Sequence, residues 1–195
     1  MLLLISSLLL MSCGADKYMK KGEKFLALGE YYDAAYQFKQ AYTRTPVKER
    51  DTRGKRALKM AQCYQRINAT PKAIAAYRNA IRYNQASKED QLAYARQLLK
   101  NGDYRQAEKV FLMLKDSMPG NQLIANGLKS AQMAPEWKKQ GSRYIVKRMD
   151  VFNSRRHDYS PVLFGDDYDQ LYFTSTRNEA LGDELSGITG TKAGD

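Results

Sequence analysis

Histidine and cysteine are scarce in this 195-residue chain, which contains one histidine, His157, and two cysteines. A site built on several histidines is therefore excluded, and so is a fold held together by several disulfide bonds. Long apolar stretches are also missing. The apolar residues 1–11 are too few to span a membrane, since a membrane-spanning helix needs roughly 20. With 43% hydrophobic residues, however, the chain can bury a core. Its length suits one domain, or one domain and part of another.

Motifs for catalysis are missing as well. The sequence has no glycine-rich phosphate loop and no cluster of cysteines and histidines at metal-ligand spacing. Asp166, Asp167 and Asp169 lie close together, but the central glycine and final glutamate of a calcium-binding loop are absent, which favours turn residues. The sequence therefore predicts a protein that is not an enzyme and that needs neither a cofactor nor a metal ion.

The amino terminus has the composition of an export signal. Residues 1–11 are apolar or small, and polar residues follow soon after them. The sequence LMSCG at residues 10–14 resembles a bacterial lipobox, in which the cysteine becomes the first mature residue and carries the lipid. This resemblance predicts a signal peptide at residues 1–12 and a lipidated tether at residues 13–17, with Cys13 as the lipidation site. The alternatives are a plain signal peptide and an uncleaved apolar helix with an ordinary cysteine.

Three segments repeat one pattern at intervals of 39 and 34 residues. Each has a glycine or asparagine, an alanine five residues later and an aromatic residue four beyond that. These positions are Gly29, Ala34, Phe38, Asn68, Ala73, Tyr77, Gly102, Ala107 and Phe111. Glycine and asparagine tolerate the positive φ of a turn, alanine allows two helices to cross closely, and the aromatic residue lies one turn along the same face. Residues 45–54, between the first two units, are expected to form a longer loop or an extended helix.

The pattern resembles the tetratricopeptide repeat (TPR), a unit of two antiparallel helices in about 34 residues. It predicts a mainly α fold with a TPR solenoid over residues 18–141. The units are expected at about 15–48, 54–87 and 88–121, followed by a closing helix at 122–141. A generic helical bundle is the alternative. Solenoids of this kind use their concave surface to bind other proteins or peptides.

Beyond residue 141 the helical periodicity stops. Residues 158–164 and 170–177 have strand composition and are separated by a turn sequence, which predicts a β-hairpin. Their sequence resembles the strand pair of a TolB-type β-propeller blade, so residues 142–195 are expected to begin a propeller. The chain would then be the N-terminal part of a longer protein, since a propeller needs at least four blades. Alternatively, the hairpin is a short cap on the helices.

The order of these features is similar to that of OmpA-family lipoproteins of Bacteroidetes, which include a component of type IX secretion. The resemblance implies an outer-membrane lipoprotein that faces the periplasm and scaffolds an envelope or secretion assembly by binding envelope proteins in its TPR groove. A separate OmpA-like domain binds peptidoglycan in that family, and these residues do not include it. The alternatives are a solenoid-type nutrient-uptake lipoprotein and the non-catalytic N-terminal part of a larger envelope enzyme.

Positive charge is concentrated in the helical part of the chain. Residues 1–141 carry 25 basic and 12 acidic side chains, whereas residues 142–195 carry 7 and 9. No nucleic-acid-binding motif accompanies this charge, and a secreted protein does not meet nucleic acid in the cell, so no nucleic-acid partner is expected. The basic surface could instead face anionic lipids near Cys13 or an acidic partner, or it could simply be solvated.

Overall fold

The computed structural model describes residues 2–179 and 184–192, with side chains described from residue 14 onward. The chain divides into two compact units, Met1–Gly141 and Ser142–Asp195, and the division falls where the helical periodicity of the sequence stops. No helix in the described ranges combines the length and the apolar character that crossing a membrane requires.

The first unit is built from seven helices in its described part, and each helix mainly contacts its neighbours along the chain. They are α1 (Leu2–Ala27), α2 (Tyr31–Arg44), α3 (Arg50–Arg66), α4 (Thr70–Arg82), α5 (Lys88–Asn101), α6 (Tyr104–Lys115) and α7 (Gln122–Gln140). Contacts between successive helices, with short connections, are what a solenoid of helix pairs requires. Residues 45–54 were expected to form a longer loop or an extended helix; residues 45–49 form a loop, and residues 50–54 are the start of the 17-residue α3.

The turns inside the three helix pairs contain Gly29, Asn68 and Gly102. Their φ angles are +76°, +57° and +83°, a region that glycine and asparagine adopt more easily than other residues. This backbone preference is the reason why the sequence predicts turns at these three positions.

The core of the first unit lies between the two helices of each pair and between successive pairs. Six repeat positions have at most 1% of their surface exposed: Ala34, Phe38, Ala73, Tyr77, Ala107 and Phe111. Two glycines make room for the aromatic rings, because a Cβ at Gly22 would collide with Phe38 and a Cβ at Gly127 would collide with Phe111. Helix α1 therefore packs closely on α2, and α7 packs closely on α6.

One charged side chain is buried where three helices meet. Arg56 in α3 is only 6% exposed, and its guanidinium donates to Asp16 in α1, to Thr45 Oγ1 and to the Ala41 carbonyl, 3.3 Å away. Thr45 Oγ1 in turn donates to the Ala41 carbonyl over 2.7 Å. The expectation that the basic residues of the helical part form a surface is therefore wrong for Arg56, because it ties α1 and the end of α2 to α3.

Residues 13–17, predicted to be a tether, have a helical backbone that belongs to α1. Ala15 is buried, and Asp16 binds Arg56, so this stretch packs against the rest of the first unit. The side chain of Cys13 lies outside the described side chains. The signal peptide at residues 1–12 and lipidation at Cys13 therefore stay predictions.

The second unit contains the predicted hairpin, formed by β1 (Asp158–Phe164) and β2 (Gln170–Ser175) in antiparallel pairing. Asp158 pairs with Ser175 and Phe164 pairs with Gln170, with a break in the register between Tyr159 and Val162. Pro161 lies in this break, where it has no N–H to contribute to the ladder. The seven helices and this hairpin together confirm the predicted fold class.

The carboxylate of Asp158 organises the base of the hairpin. Its Oδ1 accepts hydrogen bonds from Ser175 Oγ at 2.6 Å and from the Arg177 guanidinium at 2.9 Å. Its Oδ2 accepts from the backbone and side chain of Ser154, at 2.6 and 2.8 Å. The bond from Ser175 and the other donors favour the ionised form and hold the pKa of Asp158 well below its usual value.

We expect acid to loosen the hairpin base only below about pH 4. Because the pKa of Asp158 is lower in the folded than in the unfolded chain, its stabilising contribution is complete above the unfolded value of about 3.9 and is lost as the pH falls through the folded pKa. Asp158→Asn should therefore shift the amide NMR signals of Ser175 and Thr176 already at pH 7. Asp166→Asn, at the exposed turn, is the matched control, and equal shifts in both variants would contradict this role.

Candidate partner-binding groove

A groove of about 420 Å³ crosses the first helices of the three pairs. Each of α1, α3 and α5 contributes side chains to it, and α4 contributes part of the floor. The residues that line the groove are Leu26, Tyr31, Gln62, Cys63, Gln65, Arg66, Tyr77, Glu89, Asp90 and Ala93. A groove that spans three repeats can contact several side chains of one bound chain segment.

The floor of the groove is chemically inert. The buried Tyr77 donates its hydroxyl hydrogen to Gln65 Oε1 over 2.6 Å, and burial raises the pKa of this hydroxyl. Cys63 lies beside it, 1% exposed, and burial raises the pKa of its thiol to about 11. Since the thiolate is the reactive form, Cys63 is a structural residue at neutral pH rather than a nucleophile.

The rim of the groove is polar and carries both signs of charge. Gln62 Nε2 donates to Asp90 Oδ1 over 3.1 Å, and Asp90 forms a capping box with Ser87 at the start of α5. Hydrogen bonds from the backbone and from Ser87 at this helix start lower the pKa of the neighbouring Glu89. The exposed Arg66 also lines the groove, with its guanidinium 5.8 Å from the centre of the Tyr31 ring. The rim can therefore hydrogen-bond amides and bind groups of either charge.

The residues that the sequence singled out contribute little to this rim. Tyr77 is the only repeat position that lines the groove, and the others form the core or the turns. The sequence did not point to Gln62, Gln65 and Arg66, because polar residues on a helix produce no apolar periodicity. Their spacing of three and four residues on the first helix of the second unit is the signal that could have found them.

The described residues contain no group of three or more histidine, cysteine, aspartate or glutamate side chains placed to hold a metal ion. The groove offers side-chain amides, a charged rim and apolar contacts at Leu26 and Ala93. These are groups that bind a partner by shape, hydrogen bonds and charge.

Comparisons with known proteins bear on the fold. No protein-family model matches the sequence, and no curated protein matches it either. Among solved structures, the chain is similar to the C-terminal TPR-containing domain of a Plasmodium falciparum protein described as an FK506-binding protein. The identity is 15% and the TM-score is 0.54, over 67% of this chain and 94% of that one. The helix pairs and this likeness together show that the chain has the fold of a TPR solenoid, followed by a two-stranded antiparallel hairpin.

Proposed function

We propose that this protein is a non-enzymatic lipoprotein scaffold of the outer membrane, which binds partner proteins in the groove on the periplasmic side. The observation that carries the proposal is the groove itself, an open polar rim over a buried, unreactive floor. The TPR fold supports it, because solenoids use such surfaces to bind other chains.

Binding in the groove would need little rearrangement of this protein. Its walls belong to helices that pack on a continuous core, so the backbone of the groove is already ordered before a partner binds. The amides of Gln62 and Gln65 can hydrogen-bond the backbone of a peptide, while Arg66 and Glu89 can pair with its charged side chains. The proposed ligand is therefore a peptide segment of an envelope protein, in an envelope or secretion machine of the type IX kind.

The proposed anchor is Cys13, in the lipobox-like sequence of residues 10–14. Bacterial lipoproteins of this type carry more than one acyl chain, and two chains hold a protein far more stably than one. Asp16 lies three residues beyond Cys13 and is bound to Arg56, so an anchored chain would keep the TPR unit close to the membrane. Peptidoglycan binding would require a domain that these residues do not contain.

The second unit is proposed to begin a β-propeller of the TolB type. Three consecutive residues of β1, Val162, Leu163 and Phe164, are each more than half exposed. Successive strand residues point to opposite faces, so both faces of this hairpin are apolar. A strand with two apolar faces is typical of a sheet that is covered on both sides, as propeller blades are.

Replacing Cys13 by alanine tests the anchor and the scaffold together. We expect the wild-type protein to sediment with the outer membrane and, after crosslinking, to recover envelope proteins, whereas Cys13→Ala is released or stays unprocessed. Cys63→Ala, the same change at the other cysteine, should behave as wild type, because Cys63 is buried in the solenoid. If wild type and Cys13→Ala both stay soluble and recover no envelope protein, the proposal is wrong.

A further inference from the structure

Four lysines lie along the exposed side of α1: Lys17, Lys20, Lys21 and Lys24, which we call the lysine stripe. At 3.6 residues per turn they occupy an arc of about 100° and about 10 Å of the helix axis. The cleft on this side of α1 is lined by residues 16–28 alone, so no other helix covers the stripe. The stripe is therefore a continuous basic surface formed by one helix.

The acidic residues of α1 leave the stripe with a net positive charge, although Asp16 lines the same cleft. Helix α1 has two of them, Asp16 and Glu23, and both pair with α3. Asp16 binds Arg56, and Glu23 Oε1 lies 3.2 Å from Lys59 Nζ. Among the residues that the structure describes, none of the four lysines takes part in an ion pair. The two ion pairs with α3 thus leave cations on the outer side of α1.

Apolar side chains lie next to these cations. Leu28, directly after α1, is 72% exposed. Phe25 is half-buried, and Lys21 Nζ lies 5.7 Å from the centre of its ring. A row of lysines beside an exposed leucine and a half-buried phenylalanine has the composition of a helix that lies in a membrane interface.

We infer that the lysine stripe binds the headgroups of anionic phospholipids. Cations near an anionic leaflet each contribute about a fivefold gain in binding, and the attraction acts within a Debye length of about 8 Å. The inference rests on the proposed function, which places the start of α1 at a membrane. A lipidated Cys13 would lie four residues, about 6 Å of helix, before Lys17. The lipid would hold the start of α1 at the membrane, and the stripe would lay the helix along it.

This docking would leave the groove accessible. Leu26 lines the groove and follows Lys17 by nine residues, which places it about 180° around the helix from that lysine. With the stripe against the membrane, Leu26 and the groove face away from it. Headgroups fit the stripe better than nucleic acid, because the surface has an exposed leucine and no exposed aromatic ring for base stacking.

Vesicle binding by the full chain carrying Cys13→Ser tests the inference without any acylation. The probes are vesicles of pure phosphatidylcholine and vesicles with about one third phosphatidylglycerol. The apolar N-terminal residues contribute equally to both, so the ratio of the two affinities measures the charge effect. The stripe variant replaces all four lysines by glutamine. The matched control makes the same change at four exposed cations on the second helices of the repeats, Arg78, Arg105, Lys109 and Lys115.

We expect the unsubstituted stripe to prefer the anionic vesicles by at least about tenfold at low salt, with a preference that declines as salt rises. The stripe variant should lose the preference and the control should keep it, with both showing wild-type circular dichroism. Equal losses in both variants would mean that only net charge matters and would overturn the inference. So would the absence of any lipid preference, or stripe-dependent binding of a single-stranded oligonucleotide instead. None of these results depends on Cys13, so they leave the anchor proposal intact.

Discussion

Replacing Phe111 by alanine is expected to lower the free energy of unfolding of the helical unit by about 3–5 kcal/mol. The Phe111 ring is fully buried in the common core, where it packs against Gly127 of α7. Removing the ring would leave a cavity, because the surrounding helices cannot easily move together to fill it. Urea unfolding followed by circular dichroism measures the loss. Met113→Ala, two residues away and 73% exposed, is the control and should cost less than about 0.5 kcal/mol. Similar losses in both would contradict the packing described for α6 and α7.

Gly127→Ala tests the same contact between α6 and α7 by changing the residue that faces Phe111. A methyl group at this position would overlap the Phe111 ring, so we expect α7 to be displaced and the protein to be destabilised by about 1–3 kcal/mol. Adding Phe111→Leu should recover part of this loss, because leucine leaves more room in that direction. Strictly additive losses in the double variant would mean that the two residues do not share the contact.

Replacing Asp16 by alanine is expected to lower the free energy of unfolding by about 2–4 kcal/mol, although the Asp16 side chain is 57% exposed. The cost comes from its partner, because Arg56 would keep its charge in a site where it is only 6% exposed. Thr45 and the Ala41 carbonyl would still accept hydrogen bonds there but would not balance the charge. Thermal unfolding at neutral pH measures the effect.

The matched comparison is the other ion pair between the same two helices. Glu23 and Lys59 are both partly exposed and neither is a buried charge, so Glu23→Ala should cost at most about 1 kcal/mol. Arg56→Met removes the buried charge itself and should cost less than Asp16→Ala, and adding it to Asp16→Ala should restore stability. If Asp16→Ala lowers the free energy of unfolding no more than Glu23→Ala does, the charge of Arg56 does not depend on Asp16 for its compensation.

The repeat architecture was predictable because it depends on residues with strong local preferences. Alanine at the helix crossings and aromatic residues one turn later recur in each unit, and their burial follows from that pattern. Gly29, Asn68 and Gly102 mark turns because few other residues adopt positive φ. The hairpin was predictable from two runs of strand-forming residues and the turn between them.

The remaining features depend on contacts between residues far apart in sequence. Asp16 and Arg56 are 40 residues apart, and a charged pair adds nothing to the apolar periodicity, so the sequence indicated a tether and a basic surface instead. Gly127 lies in the closing helix, outside the repeat pattern, and only its contact with Phe111 explains it. The cluster around Asp158 was not predicted either, because it joins the loop before β1 to the residues at and after the end of β2.

Partner binding in the groove is tested by a photocrosslinking amino acid introduced in cells at Gln62, on the groove rim, and separately at Arg78, an exposed position on α4 outside the groove. Both positions are solvent-exposed, so neither change should disturb the fold. We expect Gln62 to crosslink to a defined envelope protein and Arg78 not to, and we expect Arg66→Glu to weaken the Gln62 product at least about tenfold. Equal crosslinking at both positions, or a product unaffected by Arg66→Glu, would contradict the central claim that the groove binds the partner.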